Sequence, residues 1–341
     1  MEKVLFLAHT DSAGALPKAA LEVLGGAMEL AKGLSGAPLT VGLVGGDLKA
    51  AADSIAGCGA ESFLAVGGDE FAVSRYATDA AAAEALVRKS EATLVIVPAT
   101  SRFSRTMPGV AQRVDGRIDT HVTGFEIGPG SPQIERWYYR QRMVARLSRQ
   151  QRPWFTLVDS GVFDAVDGLS GSAALESVTV DVPATRTRVV GEEAATAEAQ
   201  TIRPDAELLF VAGAGWTKKQ ADGQSHLPEA EQLILDFLGG SQASLGSSKS
   251  LVDQSGEGQD VLSFMSHMNQ VGQTGSTPRH PKGLATCCHG EEPHVVGWRF
   301  IKERRAVNLD PGCGWAQGKA DVLYVADAFE VMAKVNELLG G

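Results

Sequence analysis

The side chains able to bind or react concentrate beyond residue 225, where five of seven histidines (His226, His267, His280, His289, His294) and three of four cysteines lie. Three segments in this half have spacings with chemical meaning. Gly213-Ala214-Gly215 follows the apolar run Glu207–Ala212, where a parallel strand turns its backbone amides toward a ligand; the same glycines also suit a plain tight turn. Gln270-Val271-Gly272-Gln273-Thr274-Gly275 sets three hydrogen-bonding side chains between glycines and reads as a binding loop or an ordinary one. His289-Gly290-Glu291-Glu292-Pro293-His294 follows the strand ending in Cys287-Cys288, where a helix N-terminus would expose unpaired N–H groups suited to a phosphate. Cys287, Cys288, His289 and Cys313 lack a C-x₂-C pair, and adjacent ligands fit poorly around one tetrahedral centre. Small buried cysteines are therefore expected there rather than a metal site. No Ser-His-Asp order, carboxylate pair or P-loop supports a hydrolase, so no catalytic residue is assigned.

Positioning these groups requires elements, and the chain supplies them in alternation. Val4–Ala8, Leu39–Val44, Ser62–Val66 and Thr93–Val97 are apolar enough to be strands buried on both faces. Leu16–Leu34, Leu48–Ala56 and Thr78–Lys89 between them are of helical length and composition. This alternation, punctuated by Gly45-Gly46 and Gly67-Gly68, predicts βαβ units and a parallel sheet. From Asp119 to about Val182 the helical pattern fades into short β-type runs: Thr120–Glu126, Trp154–Val158 and Ser177–Val182. An acidic stretch of small residues without apolar period predicts a linker over 189–204, between a domain at 1–188 and another at 205–341. The second domain restarts with strands at Glu207–Ala212, Gly283–Thr286, Arg305–Leu309 and Asp321–Ala326. Its helices are Pro228–Leu238 and Asp327–Leu338, the latter capped by Asp327.

Composition narrows the classes. The 341 residues favour two domains, 44% hydrophobic content excludes disorder, and no period matches a repeat fold. With 31 basic against 41 acidic side chains the net charge is −10, which argues against nucleic acid as a partner. No run of about 18 apolar residues predicts a membrane span, and Val4–Ala8 is too short for a signal peptide. Four cysteines, two of them adjacent, suit a reducing, cytoplasmic setting.

These residues resemble the electron transfer flavoprotein α-subunit family. The hexapeptide Gln270–Gly275 matches that family's most specific motif. Gly246-Ser247-Ser248-Lys249-Ser250-Leu251-Val252-Asp253 is similar to its G-A-S-R-x-x-V-D segment, and Gly290 to His294 keeps the spacing of its G-I-S-G-A-I-Q-H segment. Asn308-Leu309-Asp310-Pro311 resembles N-K-D-P, and Ala320–Asp327 resembles the final strand and helix entry. The likeness is strong over about 205–338 and weaker over 1–190. It implies an α/β protein of two domains, each on a mainly parallel sheet with flanking helices: an adenine-nucleotide-hydrolase-like N-terminal domain and a Rossmann-like FAD-binding C-terminal domain. It implies a heterodimer with a β-type subunit, AMP held in that partner, and FAD carrying electrons from a dehydrogenase to an acceptor; the modified site suits a dedicated, stably bound dehydrogenase. The chain is then a carrier or oxidoreductase-complex subunit rather than a stand-alone catalyst. A flavin-free scaffold subunit is the alternative, and a nucleotide-binding sensor a third reading that only the first domain supports.

The resemblance also assigns residues. Thr274 would hydrogen-bond flavin N5, His294 would reach flavin O2, and Lys249 would stand where the family has an arginine against the ring. Ser248 and the Gly290 amide region would hold pyrophosphate, with His289 able to donate to it, while Asn308 and Asp327 would serve the adenosine half. Gln270, Val271, Gly272, Gln273 and Gly275 complete the loop. Ammonium and imidazole at N1 and O2 would stabilise negative charge there, although Lys lacks the planar stacking of guanidinium. The chain departs from the pattern at Ala214, where the family's G-G-R-G has arginine, and at Glu291 and Glu292, expected to point outward as first-turn residues. The spacer from Asp253 to Gln270, with Phe264-Met265-Ser266-His267-Met268, and the stretch Thr217–Leu227 are longer than the family's; they suit a docking surface or a groove plug. The run Arg136-Trp137-Tyr138-Tyr139-Arg140-Gln141-Arg142, continued by Arg146, Arg149 and Arg152, suits a strand-rich surface facing an acidic partner or solvent.

Overall fold

Short runs of consecutive aliphatic residues, with nothing polar to present to water, can be strands only when both sheet faces are covered. The computed structural model describes residues 1–128, 131–138, 143–182, 184–191, 203, 206–254, 261–271, 280–286, 301–311 and 320–340. They form two compact units, Met1–Glu192 and Glu193–Gly341. The linker expected over 189–204 lies mostly outside the described residues.

The first unit is built on a nine-stranded sheet of β1 (Val4–His9), β2 (Leu39–Gly45), β3 (Ser62–Gly67), β4 (Leu94–Pro98), β5 (Arg117–Gly128), β6 (Ser131–Tyr138), β7 (Met143–Leu147), β8 (Trp154–Val158) and β9 (Leu175–Ser177). The order is β7-β6-β5-β8-β4-β1-β2-β3-β9, parallel from β5 to β9, with β6 and β7 added antiparallel. Alternate residues of β1 explain the double burial: Val4, Phe6 and Ala8 join one core with α1 (Lys18–Gly33), whereas Leu5 and Leu7 join another with α4 (Tyr76–Ser90) and α5 (Ser101–Arg113). Two short helices, α2 (Lys49–Ser54) and α3 (Asp69–Ala72), complete the connections.

Three features differ from the sequence expectation. Helix α5 was not expected, because Pro108 and seven polar residues mask its stripe of Phe103, Met107, Val110 and Ala111; Thr100 caps it, its hydroxyl accepting from Phe103 N–H at 3.3 Å. The strand expected over Ser177–Val182 is shorter and earlier: Leu175, Glu176 and Ser177 pair with Phe63, Leu64 and Ala65, and Val178 N–H donates to Ala65 O at 2.7 Å where the ladder ends. The basic run includes part of β6; Tyr139, Arg140, Gln141 and Arg142 lie outside the described residues, and the described arginines are spent internally. Arg149 and Arg136 reach the buried Asp119, Arg146 pairs Glu126 and Glu135, and Arg152 pairs Glu2.

The second unit carries five parallel strands: β10 (Leu208–Ala212), β11 (Ser244–Ser247), β12 (Lys282–Thr286), β13 (Glu303–Asn308) and β14 (Val322–Val325), in the order β11-β10-β12-β13-β14. Helices α6 (Leu227–Ser241), α7 (Lys249–Asp253) and α8 (Ala328–Leu339) accompany them. Chain order reverses direction across β10, which puts a topological switch point at the carboxyl ends of β10 and β12. Strand β11 escapes sequence reading because it is Ser-Leu-Gly-Ser, yet all four residues are buried. Both units are thus α/β, each on a mainly parallel sheet. No helix among the described residues is long and apolar enough to cross a membrane.

Candidate functional site

Open parallel sheets bind ligands beyond the carboxyl ends of their strands, and those ends differ between the two units. In the first unit the ends of β1 and β4 are filled by the chain's own groups. His9 contacts Thr100 Oγ1 at 2.8 Å and meets the Phe103 ring edge-on, while Arg102 and Asp79 form a buried pair beneath at 2.6 Å. Burial pushes the His9 imidazole below its ordinary pKa. A cavity of about 460 Å³ in this unit borders Pro38, Leu39 and Cys58, at the amino end of β2.

In the second unit the carboxyl ends gather most of the described candidate residues. Ser248 follows β11 and caps α7, its hydroxyl accepting from Leu251 N–H at 3.3 Å, and Ser248 N–H donates to Ala212 O. Lys249 opens α7 and reaches Asp253 at 2.5 Å; the other Asp253 oxygen meets His267 Nε2 at 3.0 Å. The Lys249 ammonium, and after it His267, hold the Asp253 carboxyl below the usual carboxylate range. Gln270 and Val271 lie alongside β11: Ser247 bridges Gln270 in parallel, and Val271 N–H donates to Ser247 O at 3.0 Å. Gly246 makes this approach possible, since a Cβ there would stand 2.5 Å from Val271 Cγ2. Gly272, Gln273, Thr274, Gly275, His289, Gly290 and His294 lie outside the described residues, as do Glu291, Glu292, Cys287, Cys288 and Cys313.

Asn308, the last residue of β13, and Asp327, the N-cap of α8, come together at a cleft of about 370 Å³. Asp327 Oδ1 accepts from Phe329 N–H at 2.8 Å. The opposite lining is Gly215, Lys218, Lys219, Gln220 and Ala221, from the extended stretch after β10. Sequence reasoning passed over these lysines and Phe329; the unusual length of Thr217–Leu227 was the available signal. Trp216 anchors the stretch, its indole N–H donating to Thr286 Oγ1 at 2.9 Å and its ring packing on Phe329 at 4.6 Å. The spacer before Gln270 is a plug rather than a free surface over Phe264 and Met265, which pack on the core of this unit, whereas Met268 is 85% exposed.

The residues fit a nucleotide-bearing group. The Ser247 hydroxyl is fully buried at the end of β11 without a hydrogen-bond partner, and an orphaned donor at that point suits a polar ligand or bridging water. The cleft adds two amides, two carboxylates, two ammoniums and an aromatic ring, a set that can hold phosphate, hydroxyls and a flat base together.

Two α/β units on mainly parallel sheets, with polar groups collected at the strand ends of the second, are an architecture that serves many activities, and similarity of sequence narrows it. Residues 4–184, more than half of the chain, match the electron transfer flavoprotein domain, and the chain belongs to that family. It is a divergent member on the α-subunit side. It is similar to the electron transfer flavoprotein subunit alpha of Bradyrhizobium diazoefficiens, 27% identical over 246 residues, 72% of this chain and 71% of the relative. The subunit alpha of Pseudomonas aeruginosa is 26% identical over 243 residues, 71% of this chain and 72% of the relative. That of Clostridium acetobutylicum is 24% identical over 335 residues, 96% of this chain and 91% of the relative. The family match falls on the first unit, the half whose likeness was expected to be the weaker.

Proposed function

We propose that this chain is the α-type subunit of an electron transfer flavoprotein, holding FAD in its second domain and pairing with a β-type subunit that carries AMP. A dedicated dehydrogenase would supply the electrons. The observation that carries the reading is the meeting of Asn308 and Asp327 at one cleft, since both were assigned from sequence to the same adenosine half of the ligand. FAD, when bound, supplies the capacity to take up and release single electrons.

The chain's own residues do the rest. Ser247 and Ser248 offer hydroxyls where β11 ends, and the Gly246 approach holds Gln270 and Val271, which precede Thr274 in the chain, against that strand. Lys249 keeps a positive charge at the start of α7, its ammonium paired with Asp253, which His267 also contacts. Trp216, Thr286 and Phe329 close the switch point with apolar area and exclude water from the crevice floor. Asn308 and Asp327 present acceptors to ribose hydroxyls or to an exocyclic amine.

Purification of the chain with its co-expressed β-type subunit tests the reading. Absorption spectra and chromatography of the acid-released cofactor are expected to give stoichiometric FAD, with AMP as a second nucleotide. A colourless, stable heterodimer would replace the carrier with the flavin-free scaffold.

A further inference from the structure

The cleft at the ends of β10 and β13 is divided in its chemistry. The stretch after β10 brings two cations, Lys218 and Lys219, while β13 and α8 bring Asn308, Asp310, Asp327 and the Phe329 ring. Neither lysine side chain has a hydrogen bond or ion pair among the described residues. Their backbone is nevertheless held in place. Gln220 Nε2 donates to Gly215 O and Lys218 O at 3.1 and 2.7 Å, and Lys219 bridges Ser225 across a turn. Upstream, Ala214 stands where the family pattern has arginine, and it is 1% exposed in a 3-10 turn with Trp216, so no long side chain fits there.

Resting on the flavin reading above, we propose that Lys218 and Lys219 recognise the diphosphate of the bound dinucleotide and select it over flavins that end in a hydroxyl. Lys acts on phosphate as a point charge, and two ammoniums without internal partners lose no existing ion pair when they engage one. The carboxylates on the other elements repel a phosphate and accept from hydroxyl or amine donors, so the two linings orient a ligand that is anionic at one point and donor-rich at another. An adenosine diphosphate moiety has that polarity, and Phe329, pinned by Trp216, gives its base an aromatic surface.

Titration of the full-length chain, alone and co-expressed with the β-type subunit, with FAD, ADP and riboflavin tests the proposal. The double variant Lys218→Gln, Lys219→Gln is expected to weaken FAD and ADP by about tenfold or more, to flatten the salt dependence of both, and to leave riboflavin and the melting temperature unchanged. Lys218→Arg with Lys219→Arg is expected to stay within about threefold of the parent, because the charge is kept. If the glutamine variant binds FAD and ADP like the parent, the lysine assignment falls and the flavin reading survives. Lysine-dependent ADP binding without FAD would keep the assignment and remove the flavin reading, and a parent that binds neither nucleotide would remove both.

Discussion

Asp119 and Lys249 show how a single charge does different work when it is buried and when it is half-exposed. Asp119 is almost wholly buried, and it accepts from Arg149 Nη2 at 2.7 Å and from the Trp154 indole at 2.9 Å. Its worth lies in geometry: removing one partner of a buried, hydrogen-bonded charge leaves the other desolvated. Asp119→Asn is therefore expected to cost about 1–3 kcal/mol in urea unfolding, because the buried Trp154 indole loses a charged acceptor while the partly exposed Arg149 can turn to water. Lys249 is half-exposed, and its pair with Asp253 adds little to stability. Its value is electrostatic and local, on whatever develops negative charge nearby. In the FAD-loaded heterodimer, Lys249→Gln is expected to lower the flavin midpoint potential, by about 60 mV if the lost cation is worth a factor of ten for one electron. Spectroelectrochemical titration reads this directly, and an unchanged potential would place Lys249 away from the ring. Lys249→Arg, which restores the family's residue, is expected to shift the potential as well.

At the scale of elements, Gly246 ties the sheet to the loop. With no side chain at this position of β11, Val271 lies against the strand and extends the sheet by one bridge. Gly246→Ala would push Val271 outward, and overpacking of this kind costs about 1–3 kcal/mol. The expected signature is a modest fall in melting temperature with a larger loss of FAD retention on gel filtration, because the displaced residues lead into the loop. The same strand explains where sequence reading stops. Strands β1 to β4 are legible because aliphatic runs buried on both faces have no other use, and α8 is legible from Asp327 and an amphipathic stripe. Strand β11 hides because tertiary burial, not composition, makes Ser244–Ser247 a strand. Helix α5 hides because its four core residues are spaced among arginines and a proline. Within the site, Ser248, Gln270, Asn308 and Asp327 were readable as motif positions, whereas Lys218 and Lys219 match no motif and become visible only once folding brings them to the cleft.

For the whole molecule, these charges set how stability responds to acid. Burial by itself would raise the Asp119 carboxyl, but the hydrogen bonds from Arg149 and Trp154 and the nearby Arg149 and Arg136 charges bring it below its ordinary 3.8. Burial likewise opposes Arg152 and Thr93 at Glu2, whose carboxyl still ends below its ordinary 4.5. A carboxyl depressed by folding contributes stability above its unfolded pKa and loses it as pH falls through the folded value. His9, depressed by burial, adds to the same slope at higher pH: its contribution is present above 6.5 and declines as pH drops below that. His226 acts in the opposite sense, because Asp222 raises its pKa and its contribution fades as pH rises through that raised value; the pair is solvent-exposed, so its weight is small. Denaturation midpoints are therefore expected to decline slightly from pH 7 to 5 and steeply below about 4. His9→Gln is expected to flatten the first part and Asp119→Asn the second, each leaving the other intact. A parent protein whose midpoint rises on acidification through this range would contradict the arrangement of buried charge on which both substitutions rest.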